Sequence, residues 1–302
     1  MDVIEHHFTV DVEEYFHVSA LEPFIPRRRW KGIESRVLPS LRRLLDLLEA
    51  HGCRGTFFVL GCLAERHPDV VREIARRGHE VASHGWGHRK VTELDPGDFR
   101  RSVRRSRRLL EDLSGRPVVG YRAPSFSIVP GREWALDVLI DEGYRYDSSL
   151  FPVRRPGYGY PGADRDPHRI DRTGGSITEV APATVRMAGL TVPAGGGAYF
   201  RLLPSALVRG ALRSCERRGV PGTFYIHPWE VDPGQPRLDV PLSTRVRHYG
   251  RLASTTARLA RLLDEFRFRA IGDSLREALV SAPGAPEAAP VGEAAHAREP
   301  AA

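Results

Sequence analysis

Two acidic residues and two histidines have the types and spacing needed to hold a metal ion. Asp11 and Glu13 are two positions apart, so in an extended segment both carboxylates point to one face while Val12 points away. His84 and His88 are four positions apart, so on a helical turn both imidazoles would face the same side. Either pair alone commonly has a structural role rather than a role in metal binding. Together, two imidazoles and a carboxylate make a metal site that leaves positions open for water, as hydrolytic sites require.

The other groups that hydrolysis of an amide or ester needs are also present. One group must remove a proton from the attacking water, and another must protonate the departing nitrogen or oxygen. Asp11 is the candidate base, since Glu13 can serve the metal, and His227 is the candidate acid. Arg122 could pair with Asp11 and keep it ionised. Asp147 could fix the tautomer of His227. For each of these last two residues, an ordinary structural ion pair is the alternative.

These residues stand at or just after the ends of predicted strands. Short apolar runs alternate with segments of helical periodicity from about residue 8 to residue 271. The predicted strands are 7–10, 55–60, 79–83, 117–121, 144–147, 177–181, 190–192, 222–226 and 268–271. The predicted helices are 39–50, 68–77, 95–113, 134–142, 204–217 and 244–266. This alternation predicts an α/β fold with a largely parallel sheet, either a (β/α) barrel, complete or distorted, or an open doubly wound sheet. In both, the carboxyl ends of the strands build the active site.

The composition is that of a folded, water-soluble protein. Of 302 residues, 41% are hydrophobic and 27% are charged, which excludes wholesale disorder and a membrane bundle. The net charge of +7 at pH 7 permits an anionic partner without requiring one. The arginines at 100–108 predict a solvated helix face, so we expect no nucleic-acid partner. Beyond residue 281 the sequence is rich in Ala, Pro and Glu, which predicts a disordered tail over 281–302.

The location of the protein is predicted from its lack of long apolar segments. No segment approaches the roughly 20 apolar residues that cross a bilayer, so we expect no membrane span. The first residues include Asp2, Glu5, His6 and His7 and do not resemble a secretory signal. We therefore expect a cytoplasmic protein, with peripheral association at the inner face of the membrane left open. Self-association into a homo-oligomer is also left open.

Four segments, read in order, resemble the successive motifs of the polysaccharide deacetylase family, also known as NodB-homology or carbohydrate esterase family 4. The segments are Thr-Val-Asp-Val-Glu at 9–13, Ser-His-Gly-Trp-Gly-His at 83–88, Tyr-Arg-Ala-Pro at 121–124 and Ile-His-Pro-Trp-Glu at 226–230. The resemblance is closest to the subgroup associated with exosortase and exopolysaccharide loci. It implies a distorted (β/α) barrel in a catalytic domain over residues 1–280. The implied activity is metal-dependent removal of N-acetyl groups from an acetylated amino-sugar polysaccharide or its precursor.

The resemblance also implies roles for individual residues. Asp11 matches the catalytic base, Arg122 the arginine that holds it, and His227 the catalytic acid. His84 and His88 match metal ligands, while Asp147 matches the fourth motif only loosely. The first motif departs from the commoner Thr-Phe-Asp-Asp-Gly form, because Val12 stands at the ligand position and cannot bind metal. Glu13 is the substitute ligand, and zinc is the expected ion.

Aromatic residues near the motifs could contact a sugar polymer. The candidates are Trp86, Tyr199 and Trp229, with core packing as the alternative for each. Two other functions remain open. A small cyclic-amide hydrolase would use the same catalytic groups, and a narrow closed pocket would favour it. A non-catalytic carbohydrate-binding protein is the second alternative, and Val12 is the feature that suggests it.

Overall fold

The structure of the chain is a computed structural model that describes residues 3–187 and 189–281. The predicted disordered tail lies outside the described residues, apart from Ser281. The strands are β1 His6–Val12, β2 Thr56–Val59, β3 Glu80–Ser83, β4 Gly120–Tyr121, β5 Tyr146–Asp147, β6 His168–Arg172, β7 Gly175–Glu179, β8 Thr184–Met187, β9 Leu190–Pro193, β10 Thr223–Ile226 and β11 Phe268–Arg269. The α-helices are α1 Val37–Ala50, α2 Gly61–Arg66, α3 Pro68–Arg76, α4 Pro96–Ser114, α5 Trp134–Asp141, α6 Gly197–Leu202, α7 Ser205–Glu216, α8 Leu242–Tyr249, α9 Leu252–Glu265 and α10 Ile271–Ser281.

A mainly parallel sheet forms the centre of the fold. Its strand order is β10-β1-β2-β3-β4-β5-β7-β6, with β6 antiparallel to β7 and β11 paired with the start of β1. Strands β8 and β9 form a separate hairpin. Strand β1 is buried at every position, as expected for a strand flanked by parallel neighbours and covered by helices, although only Phe8, Val10 and Val12 of its seven residues are apolar. The predicted α/β fold of (β/α) barrel type is confirmed.

The sheet is closed by irregular backbone rather than by paired strands. Ala183 N donates to the carbonyl of Thr223 (2.9 Å), and Tyr225 N donates to the carbonyl of Gly195 (2.7 Å). Gly196 has a φ of 145°, and a Cβ there would lie 1.7 Å from the carbonyl oxygen of Tyr225. The glycine-rich segment at 195–197 is therefore needed for close approach of two backbones. Closure by single bridges makes this a distorted barrel.

Helix α4 follows the prediction from the sequence closely. The side chain of Asp95 accepts a hydrogen bond from Asp98 N (2.7 Å), which caps the helix, and Gly115 ends it with a φ of 65°. Phe99 and Val103 are buried, while arginines on the outer face pair with acidic residues of α5 and its C-terminal end, including Glu142. This arginine-rich face is a solvated one, as predicted.

The predicted helix over 244–266 is wrong, because the structure has two helices there. Helix α8 ends at Tyr249, and α9 begins after Arg251, which has a left-handed φ of 58°. The fully buried guanidinium of Arg201 accounts for the break. It donates to the carbonyls of Gly250 (2.5 Å) and Arg247 (2.7 Å), so the end of α8 is capped by a side chain instead of by a further turn.

Candidate functional site

The carboxyl ends of β1 and β3 bring three potential metal ligands together. Ligand atoms of Glu13, His84 and His88 all lie within 4.8 Å of one another, and all three residues are buried. Glu13 follows β1, and the two histidines lie in the segment that follows β3. The three residues that the sequence predicted as ligands thus form one cluster.

The two histidines do not lie on a helical turn, contrary to the expectation from their spacing. Residues 84–90 are irregular, and both Gly85 (φ 74°) and His88 (φ 53°) have left-handed backbone conformations. This turn, rather than helical periodicity, brings the imidazole rings of His84 and His88 to a centroid distance of 5.8 Å. A non-glycine residue with positive φ is uncommon, and such residues concentrate at functional sites.

The chemistry of the cluster fits a divalent cation. His84 Nδ1 donates to the carbonyl of Arg122 (2.8 Å), which leaves the lone pair of Nε2 free for a ligand. Burial, and more weakly the neighbouring His88, lower the pKa of His84 to about 4, so it is neutral at pH 7 as metal binding requires. Glu13 Oε2 is buried and has no hydrogen-bond donor among the described residues, although His88 Nε2 lies 2.9 Å away. A cation shared by these atoms would satisfy both.

The carboxylate of Glu13 is kept ionised and oriented by its neighbours. Burial opposes ionisation, but the imidazoles of His88, His227 and His84 more than offset it and hold the pKa of Glu13 well below its usual range. Trp229 Nε1 donates to Glu13 Oε1 (3.3 Å), which fixes the side chain from the opposite side. Glu13 is therefore an anion whose free oxygen faces the two histidines.

Asp11 is paired with Arg122, as the sequence predicted. Arg122 Nη1 donates to Asp11 Oδ1 (2.8 Å) and to Thr9 Oγ1 (2.8 Å), and the arginine is completely buried. The rest of the guanidinium is also held in place. Arg122 Nη2 donates to Ser148 Oγ (2.8 Å), and Arg122 Cζ lies 4.2 Å from the ring centroid of Phe58. Every contact restricts the arginine to one position, so the carboxylate that it binds is also fixed.

His227 follows β10 and faces both acidic residues of the first motif. Its Nε2 lies 3.5 Å from Glu13 Oε1 and 3.9 Å from Asp11 Oδ2. Its Nδ1 donates to Glu230 Oε1 (2.7 Å). Burial lowers the pKa of His227, but this hydrogen bond and the three carboxylates of Glu230, Glu13 and Asp11 raise it to about 9. The imidazole is therefore protonated at pH 7 and can donate from Nε2.

The prediction that Asp147 fixes the tautomer of His227 is wrong, because Glu230 occupies that position. Glu230 is fully buried and pairs with the equally buried Arg201. The spacing of three residues from His227 to Glu230 forms a capping box at the start of the 228–231 turn. This residue lies inside the Ile-His-Pro-Trp-Glu motif, so the motif contained the signal. Arg201 had no comparable signal in the sequence.

Asp147 instead stabilises the segment that anchors Arg122. Its Oδ1 accepts from Ser149 Oγ (2.6 Å), and Ser149 Oγ also accepts from Ala123 N (2.8 Å). Burial raises the pKa of Asp147 to about 6 and that of its neighbour Glu179 well above the usual range. Asp147 is thus a buried structural carboxyl group that holds the segment next to Arg122.

The predicted aromatic residues occupy three different environments. Tyr199 lines an open cleft of about 330 Å³, with Asp11 and His227 in its walls. Trp229 also lines the cleft, but it is only 6% exposed and stacks on His227 (5.2 Å between centroids), so little of its ring is free. Trp86 does not line the cleft, which contradicts its predicted role. Its ring lies 3.5 Å from the guanidinium carbon of Arg105, on the helical layer behind the site.

Comparison with known proteins relates part of the chain to a known family. A family model described as "Polysaccharide deacetylase" matches residues 38–138, which contain both histidines of the cluster and Arg122. The peptidoglycan-N-acetylglucosamine deacetylase of Bacillus cereus is 29% identical over 133 residues, covering 40% of this chain and 48% of that protein. The family-model match identifies a polysaccharide deacetylase domain within the chain. A second model, described as "Domain of unknown function (DUF3473)", matches residues 148–276, which contain His227 and Glu230.

Other curated proteins match shorter stretches. The chitooligosaccharide deacetylase of Rhizobium leguminosarum bv. trifolii is 40% identical over 62 residues, or 20% of this chain and 29% of that protein. The chain thus spans less than half of the length of these two curated relatives.

Solved structures support the fold. A Mycobacterium smegmatis structure assigned to the polysaccharide deacetylases covers 90% of each chain with a TM-score of 0.61 and 23% identity. PuuE allantoinase covers 93% of this chain and 91% of its own, with a TM-score of 0.59 and 17% identity. Both therefore share the fold over nearly the whole chain. None of the helices described here is both long and apolar enough to cross a membrane.

Proposed function

We propose that this protein is a metal-dependent hydrolase that removes N-acetyl groups from an acetylated amino-sugar glycan or its precursor. One observation carries the proposal. A carboxylate held by Arg122 and an imidazole held by Glu230 flank a carboxylate and two histidines at one open cleft. The named relatives deacetylate peptidoglycan N-acetylglucosamine and chitooligosaccharide, which supports an acetamido sugar as the substrate.

Glu13, His84 and His88 would hold the metal ion, and zinc is the ion that we expect. When bound, such a cation supplies Lewis-acid polarisation of a carbonyl and makes water easier to deprotonate. The residues around it are suited to the remaining steps. Asp11 would accept the proton of the attacking water, because Arg122 holds its carboxylate in the wall of the cleft.

His227 would supply the proton that the departing amine requires. Its Nε2 faces the cleft and lies 3.9 Å from Asp11 Oδ2, so a base and an acid flank the same space. Because Nδ1 already donates to Glu230, Nε2 is the donor that the imidazolium has left for the substrate. Attack of water on the acetamide carbonyl and protonation of the nitrogen give acetate and a free amino sugar.

Two features of the site weigh against the alternative functions. The cleft opens to solvent and continues into a second groove along shared walls, which suits an extended substrate better than a small cyclic amide. Val12 is buried in the core, but Glu13 lies beside the two histidines, so the first motif still offers a carboxylate for a metal ion. A role in exopolysaccharide biosynthesis and a cytoplasmic location stay predictions.

Acetate release from metal-loaded protein tests the proposed function. The metal-free protein would be loaded with zinc, cobalt, manganese or nickel and incubated with N-acetylglucosamine oligosaccharides, with allantoin as a control for cyclic-amide hydrolysis. We expect acetate only from the oligosaccharides and only with metal. Ring opening of allantoin, or no acetate with any of the four ions, would overturn the proposal.

A further inference from the structure

A second groove lies beside the catalytic cleft and shares a wall with it. Its volume is about 810 Å³, and Tyr158 and Tyr199 line both spaces. The two tyrosine hydroxyls are hydrogen bonded to each other (2.6 Å), which ties the irregular segment before β6 to α6. Arg247 also lines both spaces. A molecule in the cleft could therefore extend over this wall into the groove.

The floor and outer wall of the groove are aliphatic. Leu202 and Leu203 come from the end of α6, and Leu242 and Val246 lie one turn apart on α8. Leu242 is 73% exposed and Val246 is 50% exposed, and they are two of only six large hydrophobic side chains exposed among the described residues. Exposed apolar surface that is gathered in a groove indicates an apolar ligand. A sugar chain alone would leave these side chains without a matching surface.

Two arginines line the groove, and one of them, Arg247, also lines the cleft. Arg155 and Arg247 are both exposed, and neither has a carboxylate within 4.0 Å among the residues that the structure describes. The backbone of Arg247 is anchored, because its carbonyl accepts from the buried Arg201. Unpaired guanidinium groups in this position favour a phosphate, which they can bind through two hydrogen bonds each.

We propose that the second groove binds the phosphate and the apolar chain of a lipid-linked acetamido sugar. The acetamido group would lie in the catalytic cleft, a phosphate or diphosphate would lie between Arg155 and Arg247, and the first part of the lipid would lie against Leu242 and Val246. This inference rests on the proposed deacetylase function and narrows its substrate to a precursor carried on an anionic lipid. The order of the three environments along the surface matches the order of the three parts of such a molecule.

A graded substrate series tests this assignment. The metal-loaded protein would be assayed for acetate release from di-N-acetylchitobiose, from its diphosphate, and from its geranyl diphosphate ester. We expect kcat/KM to rise about tenfold on adding the diphosphate, and again on adding the geranyl group. Arg247→Gln should remove the first gain, and Leu242→Ser the second. Arg245→Gln and Leu190→Ser are matched controls, because both residues are exposed and neither lines the groove.

A binding measurement separates this inference from the proposed function. Geranyl diphosphate alone would be titrated into the same five proteins by isothermal calorimetry. Binding by the wild type and the two controls, but about tenfold weaker binding by Arg247→Gln and Leu242→Ser, would support the groove even if no substrate released acetate. Equal kcat/KM for all three substrates, or binding of geranyl diphosphate that neither groove variant weakens, would overturn it.

Discussion

Replacing Glu230 by Gln should separate the positioning of His227 from the binding of metal. Glu230 accepts from His227 Nδ1 at 2.7 Å and is not one of the three residues of the candidate metal cluster, Glu13, His84 and His88. The pKa of His227, raised from 6.5 to about 9, corresponds to about 3 kcal/mol in favour of the protonated imidazole. Because the hydrogen bond that His227 donates to Glu230 is the largest of the effects that raise this pKa, its loss removes much of the preference.

The expected result is a fall in kcat of about 100-fold, with the metal content unchanged. The rate of the variant should also decline at a lower pH than that of the wild type, because the acid form of His227 is lost earlier as the pH rises. Both effects would be measured by acetate release from an acetylated oligosaccharide across a range of pH, with elemental analysis of each sample.

The same change should destabilise the protein, since it leaves the buried guanidinium of Arg201 without its carboxylate partner. Breaking a buried ion pair costs about 3–5 kcal/mol. The double variant Arg201→Gln with Glu230→Gln is the control, because it removes both charges. We expect the double variant to regain part of the stability but none of the rate. Recovery of the wild-type rate, or a single variant with unchanged kcat and pH profile, would refute the positioning role of Glu230.

Three further predictions concern other parts of the fold. Arg122→Lys keeps the charge but loses the contacts with Ser148, so kcat for acetate release should fall at least about tenfold. An unchanged rate would contradict the role of the branched guanidinium group of Arg122. Burial, and more weakly neighbouring charges, lower the pKa of His7 to about 3, so its contribution to stability is complete above about pH 6.5 and is lost as the pH falls towards 3. The free energy of unfolding, measured with urea, should therefore fall between pH 7 and pH 5, and this fall should be about 2 kcal/mol smaller in His7→Gln than in the wild type. An equal fall in both proteins would refute this. Gly196→Ala should cost at least about 3 kcal/mol in a thermal or urea melt, because the new Cβ would meet the carbonyl of Tyr225; a wild-type melting temperature would disprove the need for glycine.

The sequence predicted the fold class and most of the site because both depend on local patterns. Alternating strands and helices indicated a parallel sheet, and the carboxyl ends of its strands collected Asp11, Glu13, His84 and His227 at one rim, where the structure places them. The pairing of Asp11 with Arg122 was also predicted correctly. These results follow from strand periodicity and from the geometry of parallel sheets, which a single sequence carries.

The errors arose where tertiary contacts decide the local structure. The left-handed conformation of His88 could not be inferred from a spacing that also suits a helix. The break between α8 and α9 depends on Arg201, which is distant in sequence. Trp86 lies against Arg105 rather than in the cleft, and a motif gives no information about the direction in which an aromatic ring points. Asp147 was assigned by its place at a strand end, although a carboxylate closer to His227 was available in the same motif.

Metal binding and turnover, measured together in two variants, test the central claim most directly. Glu13→Gln and Asp11→Asn each neutralise one carboxylate of the first motif with little change in shape. We predict that Glu13→Gln binds zinc at least about 100-fold more weakly than the wild type, while Asp11→Asn binds zinc normally and releases no acetate. Full zinc affinity in Glu13→Gln, or acetate release at the wild-type rate by Asp11→Asn, would contradict the assignment of ligand and base.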